Sequence, residues 1–157
     1  MHVVSQSRFR AGTMDGKAAS PEEMQALGRD ASSRLRAGSV IGLVGGLGAG
    51  KTHWTKGLVA GLGCDAEVTS PTFGLVHEYE GPGLTVFHLD FYRLNSATEL
   101  TALGWDETLD AMGVVVVEWA DKFPEMMPED TRWLVFEILA DGVRVVRQVP
   151  GVPKLGS

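Results

Sequence analysis

Cysteine is almost missing from this chain of 157 residues, with Cys64 standing alone. A single thiol excludes a disulfide framework and any multi-cysteine metal site, and it suits a reducing cytosol. As a small apolar residue following a helix, Cys64 reads as structural and not as a nucleophile. No apolar run is long enough to cross a bilayer, so no membrane association is expected. The first residues lack the charged-then-apolar pattern of a secretory signal. Basic residues are scarce too: 14 Lys and Arg against 20 Asp and Glu leave a net charge of −6. Non-specific affinity for a polyanion needs clustered Lys and Arg, and here they are scattered. Direct DNA binding is therefore not expected, and any role near RNA would run through a protein partner. His53, His77 and His88 are not spaced as a metal cluster and read as surface or hydrogen-bonded residues.

What remains is the composition of an ordinary globule, 44% apolar and 22% charged, of a size that suits one domain with one core. Residues 1–19 show no clear periodicity and read as a weakly ordered extension or one edge strand. Residues 20–150 form the domain, and 151–157 a tail. Ser20 is a good helix N-cap, Pro21 fits the first helical position, and Glu23 completes a capping box. Met24, Leu27, Ala31 and Leu35 then repeat at helical spacing up to Gly38. Val40 to Val44 is an apolar strand, and a second helix follows from Lys51 to about Leu62. Phe73–Tyr79 and Leu84–Leu89 flank Gly81-Pro82-Gly83 as a hairpin. Ser96 and Glu99 cap a short helix carrying Leu100 and Leu103. Val114–Val117 is a β-branched run suited to a strand buried on both faces. Trp133–Leu139 and Val143–Val149 alternate around the Asp141-Gly142 turn. This order predicts a three-layer α/β fold with a mixed, mainly parallel central sheet and a C-terminal antiparallel hairpin.

Between the Val40 strand and the next helix lies Gly45-Gly46-Leu47-Gly48-Ala49-Gly50-Lys51-Thr52, a complete phosphate-binding P-loop, G-x-x-x-x-G-K-S/T. The glycines let successive backbone N–H groups turn around phosphates. Lys51 supplies a point charge to the β/γ oxygens, and the Thr52 hydroxyl can ligate Mg²⁺. The helix N-terminus behind them favours an anion. The N-K-x-D motif that reads guanine is missing, so ATP is the expected nucleotide. An acidic partner is expected at the C-terminal end of a neighbouring strand, and two positions qualify. Asp90 ends one strand and Glu118 another. One would hold Mg²⁺, directly or through water; the other would orient the attacking water or a switch loop. Thr69-Ser70-Pro71-Thr72 is by itself an ordinary turn, although γ-phosphate-sensing loops occupy such positions. Trp119 reads as core, with stacking near the site as the other reading.

Several of these segments together carry a resemblance. The P-loop, Thr69-Ser70-Pro71-Thr72-Phe73, His88-Leu89-Asp90-Phe91-Tyr92-Arg93-Leu94 and Glu118-Trp119 resemble, in order and spacing, the bacterial TsaE (YjeE) ATPases. The resemblance runs from about Ser20 to Leu139. It implies a cytoplasmic, Mg²⁺-dependent ATPase, weak alone, that acts with TsaB and TsaD to make N6-threonylcarbamoyladenosine at position 37 of tRNAs reading ANN codons. Contact with tRNA would come only through that complex. Carried over by position, Gly45, Gly46, Leu47, Gly48, Ala49, Gly50, Lys51, Thr52 and His53 would bind ATP. Thr52 and Glu118 would hold Mg²⁺, and the catalytic set would be Asp90, Lys51 and Glu118. Thr69–Thr72 would be a mobile loop over the γ-phosphate, with Tyr92 and Arg93 beside Asp90. The chain departs from the family where Gly46 replaces a common Asp, His53 a second Thr, Ala120 a Pro, and Met24 a Thr near the adenine. Two other readings share the P-loop. A small-molecule kinase would need an acceptor pocket and an arginine lid, and an ATP-sensing module would need no turnover.

Overall fold

A computed structural model describes residues 13–69, 71 and 76–153. The strands are β1 (Gly16–Ala18), β2 (Val40–Gly45), β3 (Val76–Glu80), β4 (Thr85–Asp90), β5 (Val114–Glu118), β6 (Arg132–Ile138) and β7 (Arg144–Val149). The helices are α1 (Pro21–Ala31), α2 (Lys51–Gly61), α3 (Ala97–Ala102) and α4 (Trp105–Asp110). One mixed sheet runs β1-β7-β6-β2-β5-β4-β3. Its four central strands, β6-β2-β5-β4, are parallel, while β3 and the β7–β1 pair close the edges antiparallel. β2 and β5 are buried along their whole length, as parallel strands covered on both faces must be.

Strand alternation splits the interior into two cores. Ile41, Leu43, Val86, Val114, Val116 and Leu134 join Met24, Trp54 and Leu58 of α1 and α2. Val40, Val44, Phe87, Leu89, Val115 and Val117 join Leu100 and Trp105 of α3 and α4 on the opposite face. These are the three expected layers. α1 and α2 pack backbone to backbone, because a Cβ on Gly28 would stand 1.9 Å from the Trp54 carbonyl oxygen and one on Gly57 1.8 Å from that of Gln25. Only glycine permits that approach.

At both helix starts the cap serine bonds as expected, while the glutamate reaches one residue further back, Glu23 Oε1 accepting from the Ala19 N–H and Glu99 Oε1 from the Asn95 N–H at 2.7 Å each. The Ser20 Oγ accepts from the Glu23 N–H at 3.1 Å, and the Ser96 Oγ from the Glu99 N–H at 3.3 Å. The first helix stops earlier than its apolar spacing predicts, at Ala31, followed by a 3₁₀ turn (Ser32–Arg34) and an extended Leu35. The Ser32 and Ser33 hydroxyls donate back to the Arg29 and Asp30 carbonyls at 2.6 and 3.1 Å, offering the backbone an alternative to helix. α4 has no counterpart in the periodicity reading. It starts after Gly104, whose φ of 90° sets the turn. The expected Phe73–Tyr79 strand is described from Val76 onward, and its first residues lie outside the described part.

Candidate active site

Three parallel strands deliver the site at their C-terminal ends, where α/β sheets collect ligands. β2 runs into the P-loop at Gly45, β4 ends on Asp90 and β5 on Glu118. Register places Glu118 beside Leu43 on one side and beside Asp90 on the other. His88, Asp90 and Glu118 share by alternation the face that carries Val86, Val114 and Val116, which is the face covered by α1 and α2. The Phe91 N–H donates to the Glu118 carbonyl at 3.0 Å and ties the two strand ends together.

Gly50, at φ 105°, turns the chain into α2 and sets Lys51 and Thr52 in its first turn. Lys51 is only 5% exposed. Its Nζ donates to the Gly45 and Gly46 carbonyls at 2.7 and 2.8 Å and lies 4.8 Å from the centre of the Trp119 ring. Burial pushes the amine below its ordinary range, against the opposing charges of Glu118, Asp90 and Asp121. The Thr52 hydroxyl faces the Glu118 carboxylate at 3.2 and 3.4 Å from its two oxygens. The same carboxylate takes a 2.7 Å hydrogen bond from Nε2 of His88, a fully buried ring. The Asp90 Oδ1 accepts from the Tyr92 N–H at 2.8 Å. Burial, the largest influence, raises the Asp90 carboxyl above its ordinary range; Glu118 adds to this, while the Tyr92 N–H, His88 and Lys51 oppose it.

These groups open on a cleft of about 400 Å³. Leu47, Gly48, Ala49, Gly50, Thr52 and His53 line it together with Lys51, Asp90 and Glu118. Gly45 and Gly46 reach the site through the carbonyls that Lys51 holds. Ala19, Ser20, Pro21 and Met24 bring the start of α1 to the same cleft. The P-loop residues, Asp90 and Glu118 therefore meet in one place, although β2, β4 and β5 are far apart along the chain, whereas Tyr92 and Arg93 do not line the cleft. Of the Thr69–Thr72 loop, Thr69 and Pro71 are described while Ser70 and Thr72 lie outside the described residues. The Thr69 carbonyl accepts from the Tyr79 hydroxyl at 3.4 Å.

Three further residues enter, of which sequence reasoning placed only Trp119 near the site, and that as its second reading. Trp119, read first as core, packs on the α3/α4 side yet also lines the cleft, with its ring centre 4.8 Å from that of Tyr92. Its φ of 58° turns the ring out of the strand line, which no local pattern signals. His88 was read as a surface or hydrogen-bonded histidine, and as part of the His88–Leu94 segment, without a role at the site. Arg144, at the start of β7, donates to the Gly48 carbonyl from Nη2 and Nε at 3.1 and 3.3 Å. The arrangement pairs a lysine at a helix N-terminus with two carboxylates and a hydroxyl. That set suits a phosphate chain together with a divalent cation.

Comparison with known proteins bears on the family and the fold. Residues 18–148 match the family model described as "Threonylcarbamoyl adenosine biosynthesis protein TsaE". The chain is 44% identical over 112 residues to the tRNA threonylcarbamoyladenosine biosynthesis protein TsaE of Treponema pallidum, covering 71% of this chain and 82% of that one. It is 42% identical over 130 residues to the TsaE protein of Streptomyces coelicolor, covering 80% and 87%. It also superposes on the crystal structure of Bacillus subtilis YdiB with a TM-score of 0.71 at 33% identity, covering 88% and 85% of the two chains.

Proposed function

The chain belongs to the TsaE family, and from that premise we propose that it is a Mg²⁺-dependent ATPase of threonylcarbamoyladenosine synthesis. The synthesis would yield the modified adenosine at position 37 of tRNAs reading ANN codons, in the cytoplasm, with TsaB and TsaD carrying out the transfer, and tRNA would be met only through that complex. The observation carrying the reading is the convergence of Lys51, Thr52, Asp90 and Glu118 on one cleft beneath the P-loop.

Lys51 and the loop amides bind and orient the phosphates. Thr52 and Glu118 offer hard oxygen donors 3.2 Å apart, a pairing that fits Mg²⁺, which takes few protein ligands and shares itself with phosphate oxygens. Bound there, the ion would neutralise charge developing on the β/γ oxygens. Asp90 positions the attacking water and accepts its proton, a task suited to a carboxyl whose burial makes it more basic than usual. Water oxygen bonds to the γ-phosphorus as the bond from that phosphorus to the β–γ bridging oxygen breaks, giving ADP and inorganic phosphate. Bound ATP would order Thr69–Thr72 and the Asp90 segment for the partner, and hydrolysis would release them. The test is ATP hydrolysis by the chain alone and with purified TsaB, TsaD and tRNA. Phosphate is expected as the free ion, at a rate changed by the partners. Absence of coupling in either direction overturns the assigned role, and transfer to a small-molecule acceptor overturns the reaction.

A further inference from the structure

We propose that His88 is a positioning residue that fixes the Glu118 carboxylate for the divalent cation. His88 sits on β4, opposite Val116 in register, at a position where alternation otherwise places apolar residues such as Val86. It is fully buried, and its Nδ1 has no hydrogen-bond partner among the described residues. A buried, half-satisfied imidazole costs stability relative to an apolar side chain of similar size, so core packing does not account for it. Its other nitrogen does: Nε2 stands 2.7 Å from Glu118 Oε2. The carboxylate accepts, so the ring presents Nε2–H.

The ring cannot easily turn away. Tyr79 packs 6.2 Å from it at a 40° tilt, and His77 meets it edge-on at 6.4 Å. The His77 Nδ1 lies 3.1 Å from the Tyr79 hydroxyl. A clamped donor holding one oxygen of a carboxylate leaves the other free to be aimed. The Thr52 hydroxyl lies 3.2 Å from the oxygen that His88 holds and 3.4 Å from the other, so fixing the carboxylate fixes both oxygens relative to the hydroxyl with which the ion would be shared. Partners of this kind are what set the orientation of metal-binding side chains.

The inference rests on Glu118 and Thr52 holding Mg²⁺, and the test separates the two claims. Equilibrium binding of adenylyl imidodiphosphate is measured while Mg²⁺ is titrated, and again in EDTA, for the wild type, His88→Gln, His88→Asn and Glu118→Gln. The glutamine amide nitrogen can stand near Nε2; that of asparagine stands near Nδ1 and falls short. Two comparably polar replacements thus differ in reach. For His88→Asn, the Mg²⁺ concentration giving half-maximal binding is expected to rise about tenfold or more, with binding in EDTA unchanged and His88→Gln close to the wild type. Should His88→Asn fail to fold, His88→Phe, which fills the ring volume without a donor, takes its place. Equal shifts in the glutamine and asparagine variants, or no shift in either, overturn the positioning role. If Glu118→Gln alone moves the Mg²⁺ midpoint, positioning fails while the metal assignment stands. A wild-type Mg²⁺ profile in Glu118→Gln overturns the metal assignment itself.

Discussion

Replacing Lys51 by alanine separates catalysis from stability more sharply than any other change at this site. The Nζ donates to two carbonyls at 2.7 and 2.8 Å, and each such charge-assisted bond contributes about 1.5–3 kcal/mol in a favourable setting. Two effects offset this. Burial already disfavours the charged amine, and the carbonyls of Gly45 and Gly46 border a cleft in which water can replace the lost donor. The net change in folding free energy is therefore expected to be about 1 kcal/mol, the net worth of an ordinary hydrogen bond. Turnover has no such compensation. Losing one preorganised electrostatic contact costs about 2.7–4 kcal/mol, on the order of 10²–10³ in rate. Phosphate release and urea denaturation on the same preparations check both numbers. pH supplies a third readout. The folded amine titrates below its ordinary value of 10.5, so between those two values the unfolded chain binds more protons and stability rises with pH. Lys51→Ala lacks that rise, so its stability relative to the wild type should be highest at neutral pH and decline towards pH 10.5. Normal turnover in the variant refutes the site, and a relative stability that does not decline with pH refutes the burial argument.

Asp90→Asn keeps an oxygen for the Tyr92 N–H, so it should fold while turnover falls about 10²-fold, within the range for a general base. Because the Asp90 carboxyl is raised above 3.8 in the folded state, the wild type loses stability as pH climbs through that window. The variant should gain on it over the same interval in pH-dependent denaturation, and a gain confined to lower pH contradicts the burial of Asp90. Gly57→Ala forces a methyl to 1.8 Å from the Gln25 carbonyl and should cost about 3 kcal/mol in urea unfolding; a neutral result means α1 and α2 separate easily. Arg144→Ala removes the contacts to Gly48 at 3.1 and 3.3 Å, worth about 1–2 kcal/mol together. KM for ATP should rise about five- to thirtyfold with kcat little changed, and an unchanged KM would show that Arg144 does not brace the loop.

The P-loop was legible because its chemistry is contiguous: eight successive residues carry the turn, the lysine and the hydroxyl. Asp90 and Glu118 were legible for a related reason, since each terminates an apolar strand, and strand ends can be read from the chain. Caps such as Ser20–Glu23 and Ser96–Glu99 are local and were found. The hairpin pairings β3–β4 and β6–β7 were found as well, because a short turn joins each; pairings between strands distant in sequence were not. His88 and Glu118 are 30 residues apart and meet because β5 inserts between β2 and β4. Arg144 and Gly48 are 96 apart and meet because β7 returns on the far side of β6. Periodicity tells which face a side chain takes, but crossover order decides whose neighbour it becomes. The early stop of α1 escaped for the opposite reason: the apolar spacing continues to Leu35, while two serine hydroxyls redirect the backbone before it.

The distribution of buried polarity ties fold to function. Among the described residues, the buried polar and charged side chains are Ser32, Lys51, Thr55, His88, Thr108, Glu118 and Thr131. The threonines and the serine are satisfied by nearby backbone carbonyls in the helices and turns they occupy. Lys51, His88 and Glu118 are different, because they answer to one another and to the P-loop across separate elements. Glu118 ends β5, a strand buried along its whole length, while His88 on β4 and Lys51 at the start of α2 are themselves buried beside it. Apolar substitutes would pack there at lower free-energy cost. Lys51 and Glu118 line a single cleft with a basic-shifted carboxyl beside them and His88 behind Glu118, the pattern expected when chemistry rather than stability selects the residues.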